Sequence, residues 1–324
     1  MDFELSEEQR LLQDSVKRLL ADRYGFEQRR TYGAASPGWS REMWSAYAEL
    51  GILGLPFAEE DGGFGGGAVE TMIVSEALGG VLALEPYLST VVIGGGFLRH
   101  GGNDALRTEL VPRVAEGALL LALAHTEPQS RYDLGDVQTT ARRDGDGWVI
   151  DGRKGVVLHG DTADKLFVTA RTAGGPRDRD GVGVFLVDAG AAGLSRHGYR
   201  TVDGLRAAEI LFSGARAEAV LGDPAGGLPL AERVADEAIA ALAAEAVGAM
   251  EAANVLTLDY LRTRKQFGAA IGSFQVMQHR AADMMMELEQ SRSMVLYAAM
   301  MAGSDDAAER RKAMSAVKTK IGRS

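Results

Sequence analysis

Residues 232 to 264, ERVADEAIAALAAEAVGAMEAANVLTLDYLRTR, run for 33 positions with one glycine and no proline. Apolar residues recur with the helical period throughout, which predicts a single helix of about 50 Å at 1.5 Å per residue. A helix of that length draws its stability from burying an apolar face against partners. The sequence supplies a second helical pattern, FQVMQHRAADMMMELEQSRSMVLYAAMM, and a third that begins near Asp305. The third pattern is still running at KTKIGRS, so the expectation is that the chain stops inside its last domain.

The rest of the chain divides by period. Leu5, Leu11, Leu12, Val16, Leu19 and Leu20 sit at helical spacing, and Ser6 followed by Glu8 and Gln9 is an N-terminal start signal. SREMWSAYAELGI, AVETMIVSEALGGVLA and PYLSTVVIGGGFLRHG repeat a scheme of helix followed by glycine, which makes residues 1–118 all-helical. At LLLALAHTEP the period shortens, and VQTTARR, WVIDG, KGVVL, KLFVTAR, GVGVFLVD and AEILF read as strands separated by DGDG and TAGGPRDRD. Strands in succession without helices between them predict an antiparallel sheet or barrel over 119–227. From 228 to 324 the helical period returns.

Charge and composition remove several classes. With 45 acidic against 35 basic side chains and a net charge of −10, the chain lacks the basic balance of a nucleic-acid binder. The absence of cysteine excludes disulfides and thiolate metal sites. MDFELSEEQRLLQDSV carries acids where a signal peptide needs a basic and then an apolar run, and no stretch approaches ~18 uncharged apolar residues, which predicts a cytoplasmic protein without membrane insertion. Glycine-rich dinucleotide and phosphate loops, H-E-x-x-H and G-x-S-x-G are missing, and five scattered histidines lack ligand spacing, so no metal site is expected.

Three stretches hold residues suited to chemistry. RTRKQFG, residues 262–268, follows the long helix: Arg264 can fork onto a phosphate, Gln266 can bond a sugar or base, Phe267 offers a ring for stacking, and Gln275 opens the next helix, where backbone N–H groups favour anions. HTEPQSRYD, residues 125–133, lies at the end of the first strand. DGRKGVVLHG, residues 151–160, is an apolar strand whose backbone can face a flat ring. Each stretch also has a plain structural reading: cations at a helix C-terminus, a strand ending, a core strand.

Their order resembles the acyl-CoA dehydrogenase family: a helical domain, a β domain opening with T-E-P, then a long helix ending in R-K-x-F-G and a turn to F-Q. The likeness extends to the run from Trp44 through LGILGLPFAEEDGGFGGG, to WVIDGRK and to LGDPAGG at 221–227. It implies an α+β multidomain chain with an N-terminal helical domain (1–118), a middle antiparallel β-barrel (119–227) and a C-terminal helical bundle (228–324). It also implies FAD as cofactor, with His125, Thr126, Val156 and Leu158 along the isoalloxazine and ribityl chain. Arg264, Gln266, Phe267 and Gln275 would reach the pyrophosphate and adenine half of a flavin held mainly by a neighbouring subunit, so an oligomer follows.

By the same likeness the reaction is α,β-dehydrogenation of an acyl-CoA thioester to the trans-2-enoyl-CoA, with electrons passing to an electron-transfer flavoprotein. Tyr132 and Glu237 are expected near substrate. The family's usual glutamate base falls beyond Ser324, and the position that serves in some relatives is Ala238 here. Glu245, about two turns further along the same face and set among small apolar residues, is the candidate base within the chain, with a helix-packing role as its alternative. Within the family the opening and the KGVVLHGD strand resemble the small subunit of the pimeloyl-CoA dehydrogenase type. That implies a dicarboxyl-CoA substrate and either a homotetramer or a heterotetramer with a paralogous large subunit. Two other readings stay open: a non-catalytic partner subunit, and an oxygen-using acyl-CoA oxidase.

Overall fold

The computed structural model describes residues 5–101 and 103–324. Helices α1 (Glu7–Arg23), α2 (Phe26–Ala34), α3 (Arg41–Glu49), α4 (Ala68–Val81), α5 (Gly95–His100) and α6 (Asp104–Ala115) come first, with a π-helical turn at Leu88–Gly94. Strands β1 (Leu121–Ala124), β2 (Thr140–Asp144), β3 (Gly147–Leu158), β4 (Lys165–Arg171), β5 (Val182–Asp188), β6 (Leu194–Arg200), β7 (Arg206–Ala217) and β8 (Ala219–Leu221) follow. Helix α7 (Leu228–Thr263), the short strands β9 (Lys265–Gln266) and β10 (Ala269–Ala270), α8 (Gln275–Ala302) and α9 (Ala307–Ile321) complete the chain. The long helix predicted from period is real and spans 36 residues. Local signals set several ends. Ser6 Oγ accepts from Gln9 N–H while the Gln9 side chain accepts from Ser6 N–H, a reciprocal capping box, and Asp306 caps α9 through Ala308 and Glu309 N–H.

The described chain divides into two compact units. One holds Arg30–Gly66 and Leu84–Ala238, and therefore the whole eight-stranded sheet. The order is β6-β7-β3-β2-β4-β5-β8, with β1 set beside β4. This corrects the expectation of an antiparallel barrel in two respects. The sheet does not close, and it is mixed, since β1 runs parallel to β4 and β2 meets β4 in parallel at Thr140 and Arg171. Closure fails for a physical reason: edge strand β6 exposes Ser195, Arg196, His197 and Arg200, and the other edge, β8, has three residues. Short or charged edges resist further pairing. The core is filled by Ile150, Val157, Leu166, Val168, Phe185, Val187, Ile210 and Phe212.

β2 and β3 form the hairpin that DGDG predicts, with Asp144 opposite Gly147 and Gly145 at φ +60°. Arg171, buried at the end of β4, organises the following loop. Its Nε and both terminal nitrogens donate to the carbonyls of Val137, Gly135, Ala173, Pro176, Asp178 and Asp180, at 2.9 to 3.3 Å.

The second unit holds Gly67–Ala83 and Ile239–Ser324 together with the chain up to Arg29. Its core joins Met72 and Ile73 of α4, Ala240, Ala243, Ala244 and Val247 of α7, Leu288, Val295 and Ala299 of α8, and Met314 and Val317 of α9. Here α4 and α7 cross closely. A Cβ built on Gly79 would overlap the Glu245 carbonyl, and one on Gly248 would overlap the Glu76 carbonyl and lie 2.8 Å from Gly80 N. An 18-residue window of α7 reaches a mean hydropathy of 1.4, enough to cross a bilayer by length and composition alone. Ala240, Ala243, Ala244 and Val247 of this helix pack into the helical core.

Candidate active site

Two departures from regular β structure meet in the sheet-bearing unit. The first is the end of β1, where His125, Thr126 and Glu127 leave the ladder with β4. The second is a bulge in β3: its pairing with β7 shifts register between Lys154 and Val157, so Gly155 and Val156 stand outside it. Val156 adopts φ +51°, an uncommon conformation for a β-branched residue, and is 53% exposed. Gly155 N–H turns instead to the Thr126 carbonyl at 2.8 Å. The bulge and the strand end are thus stitched together, and the Thr126 and Val156 side chains are both exposed. A Cβ built on Gly155 would meet nothing within 4 Å, so open space lies against the backbone at this point.

Beneath this edge lies a buried polar network. Lys154, with no exposed surface, donates to the His125 carbonyl at 3.0 Å, to Glu127 Oε1 at 2.7 Å and to Thr169 Oγ1 at 3.2 Å. Glu127 Oε1 also accepts from Thr139 N–H, and Oε2 from Gln138 N–H and the Gln129 amide. Burial opposes the Glu127 charge, but the Lys154 ammonium and these hydrogen bonds outweigh it and hold the carboxyl well below the ordinary carboxylate range. Burial likewise pulls Lys154 downward against the attraction of Glu127. Removing one partner of such a pair costs about 3–5 kcal/mol, because the other is left charged and alone. His125 Nδ1 and Thr169 Oγ1 are hydrogen-bonded at 2.9 Å. Burial, reinforced by the Lys154 charge, lowers the His125 pKa to about 4, so its imidazole is neutral at physiological pH.

The other residues named from sequence occupy distinct surroundings. Leu158, at the end of β3, is half-buried behind the bulge. Tyr132 is 97% exposed and follows Arg131, which has φ +45°. Glu237, on the first half of α7, accepts from Arg99 Nη2 and pairs with His100 Nε2, each at 2.6 Å. Burial works against its charge, and His100 and Arg99 more than compensate, holding its pKa low. A carboxylate so engaged is a weak proton acceptor.

The remaining five lie in the second unit. Glu245 is half-buried on α7, with its carbonyl against Gly79. Helix α7 ends at Thr263, and Lys265–Gln266 pair with Ala269–Ala270 across a two-residue turn in which Phe267 (φ +54°) and Gly268 (φ +78°) are both left-handed. Two consecutive positive φ values match the hairpin turn that follows strand twist. The turn pushes Phe267 out to 95% exposure, edge-on to Phe274 at 6.2 Å. Arg264, Gln266 and Gln275 are exposed beside it in the chain.

The structure therefore brings Thr126, the neighbour of His125 in the chain, to the β3 bulge at Gly155 and Val156, with Leu158 two residues further along β3, and brings Phe267 to Phe274, the residue before Gln275. Sequence reasoning missed Lys154, Glu127 and Thr169 as a network. One signal was present: Ile150, Gly152 and Lys154 share parity on β3, which points the lysine to the same face as a core isoleucine.

Comparison with known proteins identifies the family. Three family models match in order: the acyl-CoA dehydrogenase N-terminal domain at residues 6–118, the middle domain at 122–215 and the C-terminal domain at 225–324. The probable acyl-CoA dehydrogenase YngJ of Bacillus subtilis is 32% identical over 92% of this chain and 80% of its own length. Among solved structures, the Tcur3481-Tcur3483 steroid ACAD G363A variant superposes with a TM-score of 0.86 at 30% identity, covering 97% of this chain and 82% of that one. The ChsE4-ChsE5 complex from Mycobacterium tuberculosis superposes at 0.87 with 26% identity, over 100% and 86%. The chain belongs to the acyl-CoA dehydrogenase family, the FAD-dependent oxidoreductases that act on the CH–CH bond of acyl-CoA thioesters.

Proposed function

We propose that this protein is a cytoplasmic dehydrogenase that converts an acyl-CoA to its trans-2-enoyl-CoA, with a flavin lying on the edge formed by Thr126 and Val156. The observation that carries this reading is the Gly155 N–H to Thr126 carbonyl bond, which lays two exposed backbone segments side by side with open space at Gly155. A planar ring with a polar rim fits such an edge. When bound, FAD supplies the acceptor for the β-hydride. The chain's own part is positional: Thr126 and the Val156 peptide orient the ring, neutral His125 adds a polar group without charge, and Leu158 shields the strand from water.

On this reading Arg264, Gln266, Phe267 and Gln275 clasp the adenine half of a flavin held chiefly by a neighbouring subunit, and Tyr132 and Glu237 flank the substrate path. The full exposure of Phe267 favours it, since a phenyl ring held outward by a rigid turn needs a partner surface. The three segments 1–118, 119–227 and 228–324 serve as helical, β and helical domains. Dicarboxyl-CoA thioesters such as pimeloyl-CoA are the proposed substrate class, and an electron-transfer flavoprotein is the acceptor.

A second reading concerns assembly. Two similar structures are named for pairs of proteins, Tcur3481-Tcur3483 and ChsE4-ChsE5, which favours a heterotetramer with a paralogous subunit. The position of Glu245 at the α4–α7 crossing favours a packing role for it over that of base.

The test is turnover of an acyl-CoA panel, pimeloyl-CoA included, with a dye or electron-transfer flavoprotein as acceptor. A product lighter by two hydrogens in mass spectrometry supports the proposal. No product with any thioester, alone or with a paralogue added, rejects it; peroxide formed in air without an acceptor assigns an oxidase.

A further inference from the structure

The strongest unexplained feature of the molecule is a lysine with no exposed surface in a β-sheet core. Burying an ammonium is unfavourable unless it is paired and hydrogen-bonded, as Lys154 is. The three acceptors of Lys154 are informative. One is the carbonyl of His125, the residue before Thr126, and another is the carboxylate of Glu127, the residue after it. The carbonyl of Thr126 itself is taken by Gly155, the residue after Lys154. Three successive residues of one segment are therefore tied to two successive residues of another, and of the three only Thr126 turns its side chain outward. Glu127 extends the anchorage to Gln138 and Thr139 N–H on the chain leading into β2. The third acceptor, Thr169 Oγ1, is shared with His125 Nδ1 and so fixes the imidazole as well.

We propose that Lys154, paired with Glu127, is a positioning residue for the flavin: it holds residues 125–127 in the bent path that presents Thr126 beside Val156. This rests on the flavin reading above. The pair touches no ring atom in this role and acts through the backbone it clamps. A purely structural lysine would be replaceable, together with its partner, by apolar groups of similar volume.

The experiment compares wild type, Glu127→Gln, Lys154→Met and the double variant Glu127→Leu/Lys154→Met. For each, FAD affinity is titrated by flavin fluorescence, the absorption bands of bound flavin are recorded, and thermal unfolding is followed without added FAD. Lys154→Met leaves Glu127 buried without its cation, so it lowers the melting temperature or fails to fold. The double variant removes both charges and is therefore more stable than Lys154→Met, although the Gln138 and Thr139 N–H groups lose their acceptor, and its FAD affinity stays at least tenfold below wild type with shifted flavin bands. Glu127→Gln leaves Lys154 buried without its counter-charge and turns an amide NH2 toward N–H donors, so its melting temperature falls too, and its folded fraction binds FAD several-fold more weakly than wild type. Recovery of FAD affinity to within twofold in the double variant, or unchanged affinity in Glu127→Gln, overturns the proposal. Should wild type bind no FAD, the flavin reading itself fails and this inference with it.

Discussion

Gly248 of α7 lies against the carbonyl of Glu76 in α4, so closely that a Cβ at position 248 would overlap that oxygen. Gly79 meets the Glu245 carbonyl in the same manner one turn away. Small residues on both helices let the backbones approach, and the core of this unit is built around the crossing. Gly248→Ala forces the helices apart even though alanine is the better helix former. The expected loss is about 3 kcal/mol, well above the ~1 kcal/mol propensity gain, and is read as a lower urea midpoint. A variant as stable as wild type would show that the crossing relaxes freely.

Arg171 reaches six backbone carbonyls with the five N–H donors of one guanidinium, at least one of them shared between two acceptors, which a lysine's three donors at a point cannot imitate. Arg171→Lys leaves the buried Val137 carbonyl and several part-buried ones short of a donor and costs about 1–3 kcal/mol. Proteolysis should then cut first within residues 173–181. Uniform cleavage across the chain would argue that the loop is held by other contacts.

Two buried histidines give a pH dependence of defined sign. Burial and the Lys154 charge lower His125 to about 4, and burial and the Arg206 charge lower His159 to about 4. Between pH ~6.5 and ~4 the unfolded chain binds protons that the folded chain refuses, so stability falls as pH drops through that window, by on the order of 2–3 kcal/mol per histidine. Urea midpoints at pH 7.5, 6 and 5 check the trend, and His159→Asn should flatten part of it. A midpoint constant down to pH 5 contradicts the burial of both rings.

Glu245 and Glu237 can be separated by kinetics. With its carbonyl in the helix crossing, Glu245 is expected to tolerate Glu245→Gln with flavin reduction by acyl-CoA within threefold of wild type. A loss of a thousandfold at unchanged FAD content would make it the base instead. Glu237→Gln weakens the grip of Arg99 and His100 and should raise KM more than it lowers kcat, if these groups flank the substrate.

Much of this architecture was legible from local signals. Ser6 with Gln9, Asp306 before α9 and DGDG before β3 each act through neighbours within a few residues, and a sequence displays such neighbours directly. Sheet closure was not legible, because it depends on whether β6 and β8 pair, and β6 itself, with Ser195 to Gly198 exposed in succession, lacks the alternation that marks a strand. Lys154 escaped notice for a related reason: the bulge at Gly155 and Val156 flips parity immediately after it, so the strand reads as an apolar run with one cation. Phe267 was placed just past a helix end, but its left-handed backbone, and hence its exposure, comes from the β9–β10 pairing that the motif does not advertise.

Oxidation of an acyl-CoA by FAD held on this chain is the activity proposed above. The most direct measurement is the visible spectrum of the purified protein, alone and mixed with a paralogous chain, before and after anaerobic addition of pimeloyl-CoA and a short panel of other thioesters. The expected result is a flavin spectrum that bleaches with at least one of them. A protein that binds added FAD under neither condition, or a bound flavin that stays oxidised with every thioester, would contradict it.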